Sequence, residues 1–287
     1  MDIYFEKYNG LGNDYLVYDC NKNSEKLDSD SVKLICDRNF GLGSDGILVG
    51  PIIEGDKISV EIINPDGSIA EKSGNGVRIF SKYLKDAGYV KEQEFILSTL
   101  GGDVRVKFLN DKGTLMSVSM GQLSFDRYSV GAIDVPEEMV NIPLEFNGNT
   151  YNCTCVSIGN PHCVIPMDTV SKEKVCEVGK YSEVASYFPK RINTQIVQVL
   201  DRNNIKIEIF ERGAGYTLAS GSSSSAAAGA AYKLGLVDDK ITVHMPGGEL
   251  LIEIDESFNV TMTGGVSYIG KMILGSEFIE DNNLFSK

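Results

Sequence analysis

The run from Ala219 to Ala231 constrains the fold of this chain more than any other feature. The small polar segment Ala219-Ser220-Gly221-Ser222-Ser223-Ser224-Ser225 leads directly into Ala226-Ala227-Ala228-Gly229-Ala230-Ala231. Serine caps the first turn of a helix, alanine has the highest helix propensity, and Gly235 provides a stop signal. Because alanine stands where a surface helix would carry Lys and Glu, we expect this helix to be enclosed on nearly all sides. The alternative is a flexible serine-rich linker.

The start of such a helix is a site for an anion. Its first amide groups are not used by the helix itself, and the helix dipole places partial positive charge there. A small carboxylate is a ligand of the right chemistry for this position.

A second copy of this arrangement lies earlier in the chain. Ser73-Gly74 precedes a helical pattern and stands before Ser220-Gly221 at an offset of 220 − 73 = 147 residues. Asn13 and Asn160 have the same offset, since 160 − 13 = 147. We infer an internal duplication, which predicts an α/β fold of two pseudo-symmetric domains. Each would be a central helix wrapped by mostly antiparallel strands, with the active site between the two domains.

The predicted domains are residues 1–130 and residues 131–287. The boundary follows the strand that ends at Met120-Gly121 and precedes the strand that begins near Asn149. Whether residues 270–287 pack back on the first half stays open.

Composition excludes several classes of partner. The net charge is −13 and no block of Lys or Arg occurs, so we expect no nucleic-acid partner. No apolar run is long enough to span a bilayer, and no apolar N-terminal segment follows a basic flank. We therefore expect no membrane association and a cytoplasmic protein.

Two motifs of apparent chemical meaning have structural interpretations instead. Gly41-Leu42-Gly43-Ser44-Asp45-Gly46 matches G-x-G-x-x-G, but it follows a helical pattern and precedes a strand, the reverse of a dinucleotide site. Cys153-x-Cys155 lies in an alternating, strand-like segment, and six cysteines in 287 residues do not indicate a disulfide framework. Buried strand thiols are favoured over a metal site, and we expect no metal.

Six ordered motifs across nearly the whole chain resemble those of the diaminopimelate epimerase family. They are Asn9-Gly10-Leu11-Gly12-Asn13-Asp14, Asn64-Pro65-Asp66-Gly67-Ser68, Glu71-Lys72-Ser73-Gly74-Asn75-Gly76, Gly159-Asn160-Pro161-His162, Glu211-Arg212-Gly213-Ala214-Gly215 and Ala219-Ser220-Gly221-Ser222. The resemblance implies a cofactor-independent isomerase of lysine biosynthesis that converts LL- to meso-diaminopimelate. One acid/base residue at each helix start would act on opposite faces of Cα.

The resemblance also implies roles for individual residues. The acid/base positions are Ser73 and Ser220, tuned by His162 and Glu211. The residues implied to bind substrate are Asn13 at the reacting end; Gly74, Asn75, Gly221 and Ser222 at the α-carboxylate; and Asn64, Asn160, Asn193, Glu211 and Arg212 at the distal amino acid group.

At the two acid/base positions this chain departs from the family, which has cysteine where Ser73 and Ser220 stand. A thiol has a pKa near 8.5, whereas a hydroxyl resembles water at about 15.7. The gap of roughly 7 units corresponds to about 10 kcal/mol. A helix N-terminus supplies only about 0.3–2 kcal/mol, so the thiol mechanism cannot run unchanged.

Several interpretations of the two serines stay open. They are two introduced replacements, a natural serine branch with weaker or different chemistry, or a protein that binds without turnover. Cys163 beside His162 is a candidate substitute thiol, although strand packing is favoured for it. The alternative functions are a racemase, isomerase or dehydratase acting on another amino acid, and a non-catalytic amino-acid-binding protein. A homodimer is a further possibility that the resemblance raises.

Overall fold

The computed structural model describes residues 3–285, which form two compact units. Unit 1 comprises the residues up to 118 together with those from 264 onward, and unit 2 comprises residues 119–263. The predicted domains, residues 1–130 and 131–287, stay a prediction, and residues 1, 2, 286 and 287 lie outside the described part of the chain.

The first segment of the chain supplies most of unit 1. Its elements are β1 (Tyr4–Gly10), β2 (Asn13–Tyr18), α1 (Ser29–Cys36), β3 (Ile47–Glu54), β4 (Lys57–Ile63), β5 (Ile69–Ala70), α2 (Gly74–Asp86), β6 (Glu94–Thr99), β7 (Gly102–Phe108) and β8 (Leu115–Gln122).

Unit 2 follows, and the chain then returns to unit 1. The elements from here on are α3 (Arg127–Val130), β9 (Ile142–Phe146), β10 (Asn149–Ser157), β11 (Pro161–Pro166), α4 (Lys172–Ser182), β12 (Asn193–Asp201), β13 (Asn204–Glu211), β14 (Gly215–Thr217), α5 (Gly221–Lys233), β15 (Lys240–Met245), β16 (Gly248–Ile254), β17 (Asn259–Gly265), β18 (Ser267–Ile273) and α6 (Ser276–Asp281). The last two belong to unit 1.

The two units have the same strand order. In unit 1 it is β18-β1-β2-β3-β4-β6-β7-β8, with β5 hairpinned onto β4. In unit 2 it is β9-β10-β11-β12-β13-β15-β16-β17, with β14 hairpinned onto β13. Parallel pairs occur at matching places, β2/β3 and β4/β6 in one and β11/β12 and β13/β15 in the other. The predicted duplication and the α/β class of mostly antiparallel strands are confirmed.

One enclosed helix lies against the strands of each unit. α2 contacts β1, β2, β3 and β7, and α5 contacts β10–β13, β15 and β16. Both helices have 13 residues. The predicted starts after Ser73 and Ser220 are confirmed, as is the predicted stop at Gly235, whose φ is 71°.

The small residues of α5 explain how it fits inside the strands. Residues 223–231 are all buried. The Ser224 and Ser225 hydroxyls each donate to the carbonyl four residues earlier at 2.8 Å, so their buried polar groups are satisfied within the helix. A Cβ at Gly229 would lie 2.2 Å from Leu123 Cδ1. The close approach of the Leu123 side chain therefore requires a glycine at position 229. Because the segment is helical from Gly221 to Lys233, the linker alternative is excluded.

Each unit has its own apolar core. In unit 1, Phe5, Leu16, Ile35 and Ile47 are fully buried between β1–β3 and α1. In unit 2, the core formed by β9–β12 and α4 includes the predicted strand thiols Cys153, Cys155 and Cys163, which are free and fully buried. Within residues 3–285, no helix has the length and apolar character needed to cross a bilayer.

We expect the Gly179→Ala variant to be less stable, because α4 packs directly on β13 at this position. A Cβ there would lie 2.4 Å from Phe210 Cγ and 2.5 Å from Phe210 Cβ. Overpacking of this kind costs about 1–3 kcal/mol. Urea unfolding followed by circular dichroism should show a lower midpoint. The control is Gly270→Ala, where the space around the new methyl group is open; equal midpoints for the two variants would contradict the packing.

Candidate active site

The first half-site is the N-terminus of α2 in unit 1. Ser73 is the N-cap residue, with extended backbone angles of −138° and 119°, and its Oγ accepts the Gly76 N–H at 3.0 Å. Gly74 and Asn75 are the first two helical residues, where backbone amides are directed out of the helix and the dipole is positive. The fold thus places a half-buried hydroxyl at a helix tip suited to an anion.

Asn13 lies beside this helix start. Its Oδ1 accepts a hydrogen bond from Asn75 Nδ2 at 3.0 Å, and its own Nδ2 donates to Asp45 Oδ2 at 2.8 Å. Asn75 Oδ1 in turn accepts from the fully buried Arg78 guanidinium at 2.8 Å. The Asn13 amide is therefore fixed from both sides, with its orientation set by residues far apart in the sequence.

The loop with the rejected glycine motif, residues 41–46, has a structural role at this half-site. Besides Asn13, Asp45 accepts the Asp14 N–H at 3.1 Å, and Arg38 Nη2 bridges the Asp14 and Asp45 carboxylates at 2.6 and 2.7 Å. Burial would raise the pKa of Asp14, but hydrogen bonds from Arg38 and Lys7 outweigh burial and lower it. Asp45 and Arg38 were not predicted, because only the folded loop brings them to Asn13.

Tyr15 is a further residue of this half-site that the motifs did not indicate. Its phenol is buried and donates a hydrogen bond to Ser73 Oγ at 3.3 Å. The available signal was the offset of the duplication, which makes Tyr15 the counterpart of His162 since 162 − 15 = 147.

Asn64, predicted to bind the distal group, lies at the turn between β4 and β5. Its Nδ2 donates to Ser68 Oγ at 3.0 Å and its N–H donates to the Ser68 carbonyl at 2.8 Å. The residue closes this turn, and its predicted binding role stays a prediction.

The second half-site is the N-terminus of α5 in unit 2. Ser220 is the N-cap residue, with angles of −148° and 127°, and its Oγ lies 3.4 Å from both Ser223 N and Ser222 Oγ. Gly221 and Ser222 begin the helix. Asn160 Nδ2 donates to Ser222 Oγ at 3.4 Å, which repeats the contact between Asn13 and Asn75. The two half-sites thus share a capping serine and an adjacent asparagine.

His162 lies behind Asn160 and is fully buried. Its Nε2 is 3.1 Å from Asn160 Oδ1 and its Nδ1 is 3.3 Å from Gln195 Oε1. Burial lowers the pKa of His162 to about 3, against a smaller opposing effect of the Gln195 hydrogen bond. The imidazole is therefore neutral near pH 7 and holds Asn160; its tuning of an acid/base residue stays a prediction.

The remaining predicted residues of unit 2 surround the end of β13. Asn193 Nδ2 donates to the Pro161 carbonyl at 2.9 Å, and Asn193 Oδ1 accepts the Arg212 N–H at 3.0 Å. The exposed Arg212 guanidinium donates to the Lys190 carbonyl at 3.2 Å. Glu211 Oε2 accepts from the Thr217 hydroxyl at 3.2 Å. Asn193 therefore ties the segment carrying Asn160 to the segment carrying Arg212.

Cys163, the candidate substitute thiol, points into the core and not to the helix start. It is fully buried among the apolar residues of unit 2. Contact with Cys153 lowers the pKa of Cys163, but Cys155 and burial together raise it well above the ordinary value. The packing interpretation of this cysteine is confirmed.

Known proteins share the sequence pattern and the fold of this chain. Residues 5–125 and 154–269 match the sequence profile of diaminopimelate epimerase. The chain belongs to the diaminopimelate epimerase family. It is 47% identical over 274 residues to "Diaminopimelate epimerase 2" of Nostoc sp., covering 95% of this chain and 96% of that protein. It is 37% identical over 267 residues to the diaminopimelate epimerase of Synechocystis sp., covering 92% and 96%.

Solved structures share the fold at low sequence identity. A probable proline racemase of Agrobacterium radiobacter K84 superposes with a TM-score of 0.69 at 13% identity, covering 96% of this chain and 93% of that chain. A hydroxyproline epimerase of Agrobacterium vitis gives 0.68 at 12% identity, covering 95% and 91%. These likenesses concern the fold alone.

For this member of the diaminopimelate epimerase family we expect buried His162 to make stability depend on pH. Its pKa is about 3 in the folded protein and about 6.5 when unfolded. The contribution of the neutral ring is therefore fully present above pH 6.5 and is lost as the pH falls toward 3, at up to about 1.4 kcal/mol per pH unit.

The test compares urea midpoints of the parent, His162→Gln and His244→Gln between pH 4 and 8. We expect His162→Gln to lose part of the acid sensitivity and His244→Gln, at the other histidine, to keep it. Parallel pH curves for the parent and His162→Gln would contradict the buried neutral ring.

Proposed function

We propose that this chain is a PLP-independent isomerase that interconverts LL- and meso-diaminopimelate by proton transfer at Cα, and that its two hydroxyls limit the rate. The observation that carries the proposal is the repeated half-site. In each unit a serine hydroxyl caps the enclosed helix next to an asparagine, Ser73 with Asn13 and Ser220 with Asn160. The proposed substrate, diaminopimelate, is taken from the names of the relatives.

In this proposal the helix starts bind the α-carboxylate. The backbone amides of Gly74, Asn75, Gly221 and Ser222 would donate to its oxygens, as helix N-termini do for anions. The same donors would stabilise the charge that develops when the Cα proton leaves, because the electron pair is then delocalised onto the carboxylate. Binding and catalysis would thus use one set of groups.

The distal amino acid group is assigned to Asn64, Asn160, Asn193, Glu211 and Arg212. Arg212 fits a carboxylate clamp because its backbone is fixed by Asn193 while its guanidinium is exposed. Glu183 supports the same loop by accepting the Gly213 N–H at 2.8 Å. A one-headed amino acid would have no use for this set, which favours a substrate with two amino acid groups.

We expect replacement of both hydroxyls by thiols to raise activity. Deuterium incorporation at Cα of LL- and meso-diaminopimelate in D₂O, followed by NMR, should be about 10²–10⁴-fold faster for Ser73→Cys/Ser220→Cys than for the parent. The physical reason is that a thiol ionises far more readily than a hydroxyl.

The control for this pair is Ser171→Cys, because Ser171 also caps a helix, α4, but belongs to neither half-site. It should leave the exchange rate of the parent unchanged. A folded double-cysteine variant that exchanges no Cα proton of either isomer would refute the proposed function.

The distal clamp makes a separate prediction for Arg212→Ala in the double-cysteine background. Loss of a charged hydrogen-bonding partner costs about 1.5–3 kcal/mol, so KM for diaminopimelate should rise by roughly 10–100-fold. The matched control is Arg202→Ala, an exposed arginine paired with Asp238. An equal KM for both variants would remove Arg212 from the substrate site.

We also propose that the protein acts in the cytoplasm and as a homodimer. The first proposal is supported by its cysteines, which are free thiols, four of them buried, as is typical of a reducing compartment. The proposal of a homodimer is supported by exposed side chains along β18, those of Tyr268, Ile269 and Ile273.

A further inference from the structure

The Ser73 hydroxyl accepts two hydrogen bonds. One comes from the Gly76 amide at 3.0 Å and the other from the Tyr15 phenol at 3.3 Å. A hydroxyl offers two acceptor lone pairs and one hydrogen. While Tyr15 carries its proton, both lone pairs of Ser73 Oγ accept hydrogen bonds. The hydroxyl hydrogen of Ser73 is then directed away from these donors and can pass to another molecule.

The phenol of Tyr15 is held rigidly in this contact. The side chain is only 6% exposed, and its backbone pairs with Tyr8 in the sheet. Its ring edge packs on the backbone of Gly46, where an added Cβ would come within 2.7 Å of Tyr15 Cε1. The contact with Ser73 is therefore set by the sheet and by a glycine loop.

The second half-site has a different group at the matching position. His162, the counterpart of Tyr15, contacts Asn160 and Gln195. The described contacts of Ser220 Oγ are with Ser222 and Ser223. Among the described contacts of the two capping serines, the ionisable hydroxyl lies at Ser73.

A phenol ionises far more readily than an alkyl hydroxyl. The ordinary pKa of a tyrosine is about 10, close to the thiol value of about 8.5 and far below about 15.7 for water. We propose that Tyr15 is a positioning residue that passes a proton to and from Ser73, so that the pair performs the task of the thiol. This inference rests on the proposed function, since it assigns the proton path of one of its two half-sites.

The proton path balances without any further reactant. In the abstraction direction Tyr15 begins as a phenolate, so the hydrogen bond is reversed and Ser73 donates to it. The Cα–H bond breaks as Ser73 Oγ gains that proton, the original Ser73 O–H bond breaks, and its proton passes to the phenolate oxygen of Tyr15. The electron pair of the broken Cα–H bond remains on the substrate. In the delivery direction, Ser73 gives its proton to Cα and the Tyr15 O–H proton replaces it.

The experiment measures Cα deuterium exchange of LL-diaminopimelate for Tyr15→Phe, with and without Ser73→Cys. With serine at position 73 we expect Tyr15→Phe to lower the exchange rate by about 10²-fold or more. We also expect the rate of the parent to rise at alkaline pH, where the phenol ionises, and this rise to be absent from Tyr15→Phe. In the Ser73→Cys background the loss should stay below about tenfold, because a thiol needs no relay.

The control variant is Tyr18→Phe. Tyr18 is an equally buried tyrosine of the same strand, and its hydroxyl donates to the Glu25 carbonyl at 2.6 Å. It should leave exchange unchanged in both backgrounds. Equal losses for Tyr15→Phe with serine and with cysteine at position 73 would show a purely structural role and overturn the relay.

A second readout needs no substrate. Alkylation of the introduced thiol of Ser73→Cys by iodoacetamide, followed against pH by peptide-resolved mass spectrometry, gives the thiol pKa. A phenol that donates to this atom stabilises the thiolate, so adding Tyr15→Phe should raise that pKa by on the order of one unit. An unchanged value would overturn the relay. If no variant exchanges Cα protons, the proposed function fails. The titration then still shows whether the Tyr15 phenol donates a hydrogen bond to the atom at position 73.

Discussion

The hydrogen bond between a serine hydroxyl and the first turn of an enclosed helix is the interaction on which both half-sites depend. It fixes Ser73 Oγ and Ser220 Oγ at the positive ends of α2 and α5. Each hydroxyl keeps its position because the rest of the helix is buried, which holds the N-terminus of the helix in place. Small residues allow that burial in α5, where the Leu123 side chain leaves no space for a side chain at Gly229.

The surroundings of the two serines differ, although the topology around them repeats. In unit 1 a chain of hydrogen bonds runs from Arg78 through Asn75 and Asn13 to Asp45. In unit 2 the corresponding asparagine is held by the neutral ring of His162. Duplication therefore preserved the backbone scaffold and the capping contact, while the polar groups behind them diverged.

Features of the fold that depend on residues close in the sequence were predicted correctly. The starts of both enclosed helices, the stop at Gly235 and the repeat of the topology followed from capping chemistry, helix propensity and constant offsets. The contacts that orient the site could not be predicted this way. The hydrogen bond between Tyr15 and Ser73 joins residues 58 apart, and that between Asn13 and Asp45 joins residues 32 apart. Only the folded loops bring these side chains together. Asp45 also lies in the G-x-G-x-x-G motif, whose spacing alone is typical of a dinucleotide site and gives no indication of a contact with Asn13.

We propose that the capping hydroxyls of Ser73 and Ser220 themselves carry the proton to and from Cα. The most direct measurement compares the parent with Ser73→Ala/Ser220→Ala for deuterium incorporation into LL- and meso-diaminopimelate in D₂O. We expect the parent to exchange slowly and the exchange rate of the double-alanine variant to fall to the rate without protein. Exchange by the double-alanine variant at the parental rate would contradict it.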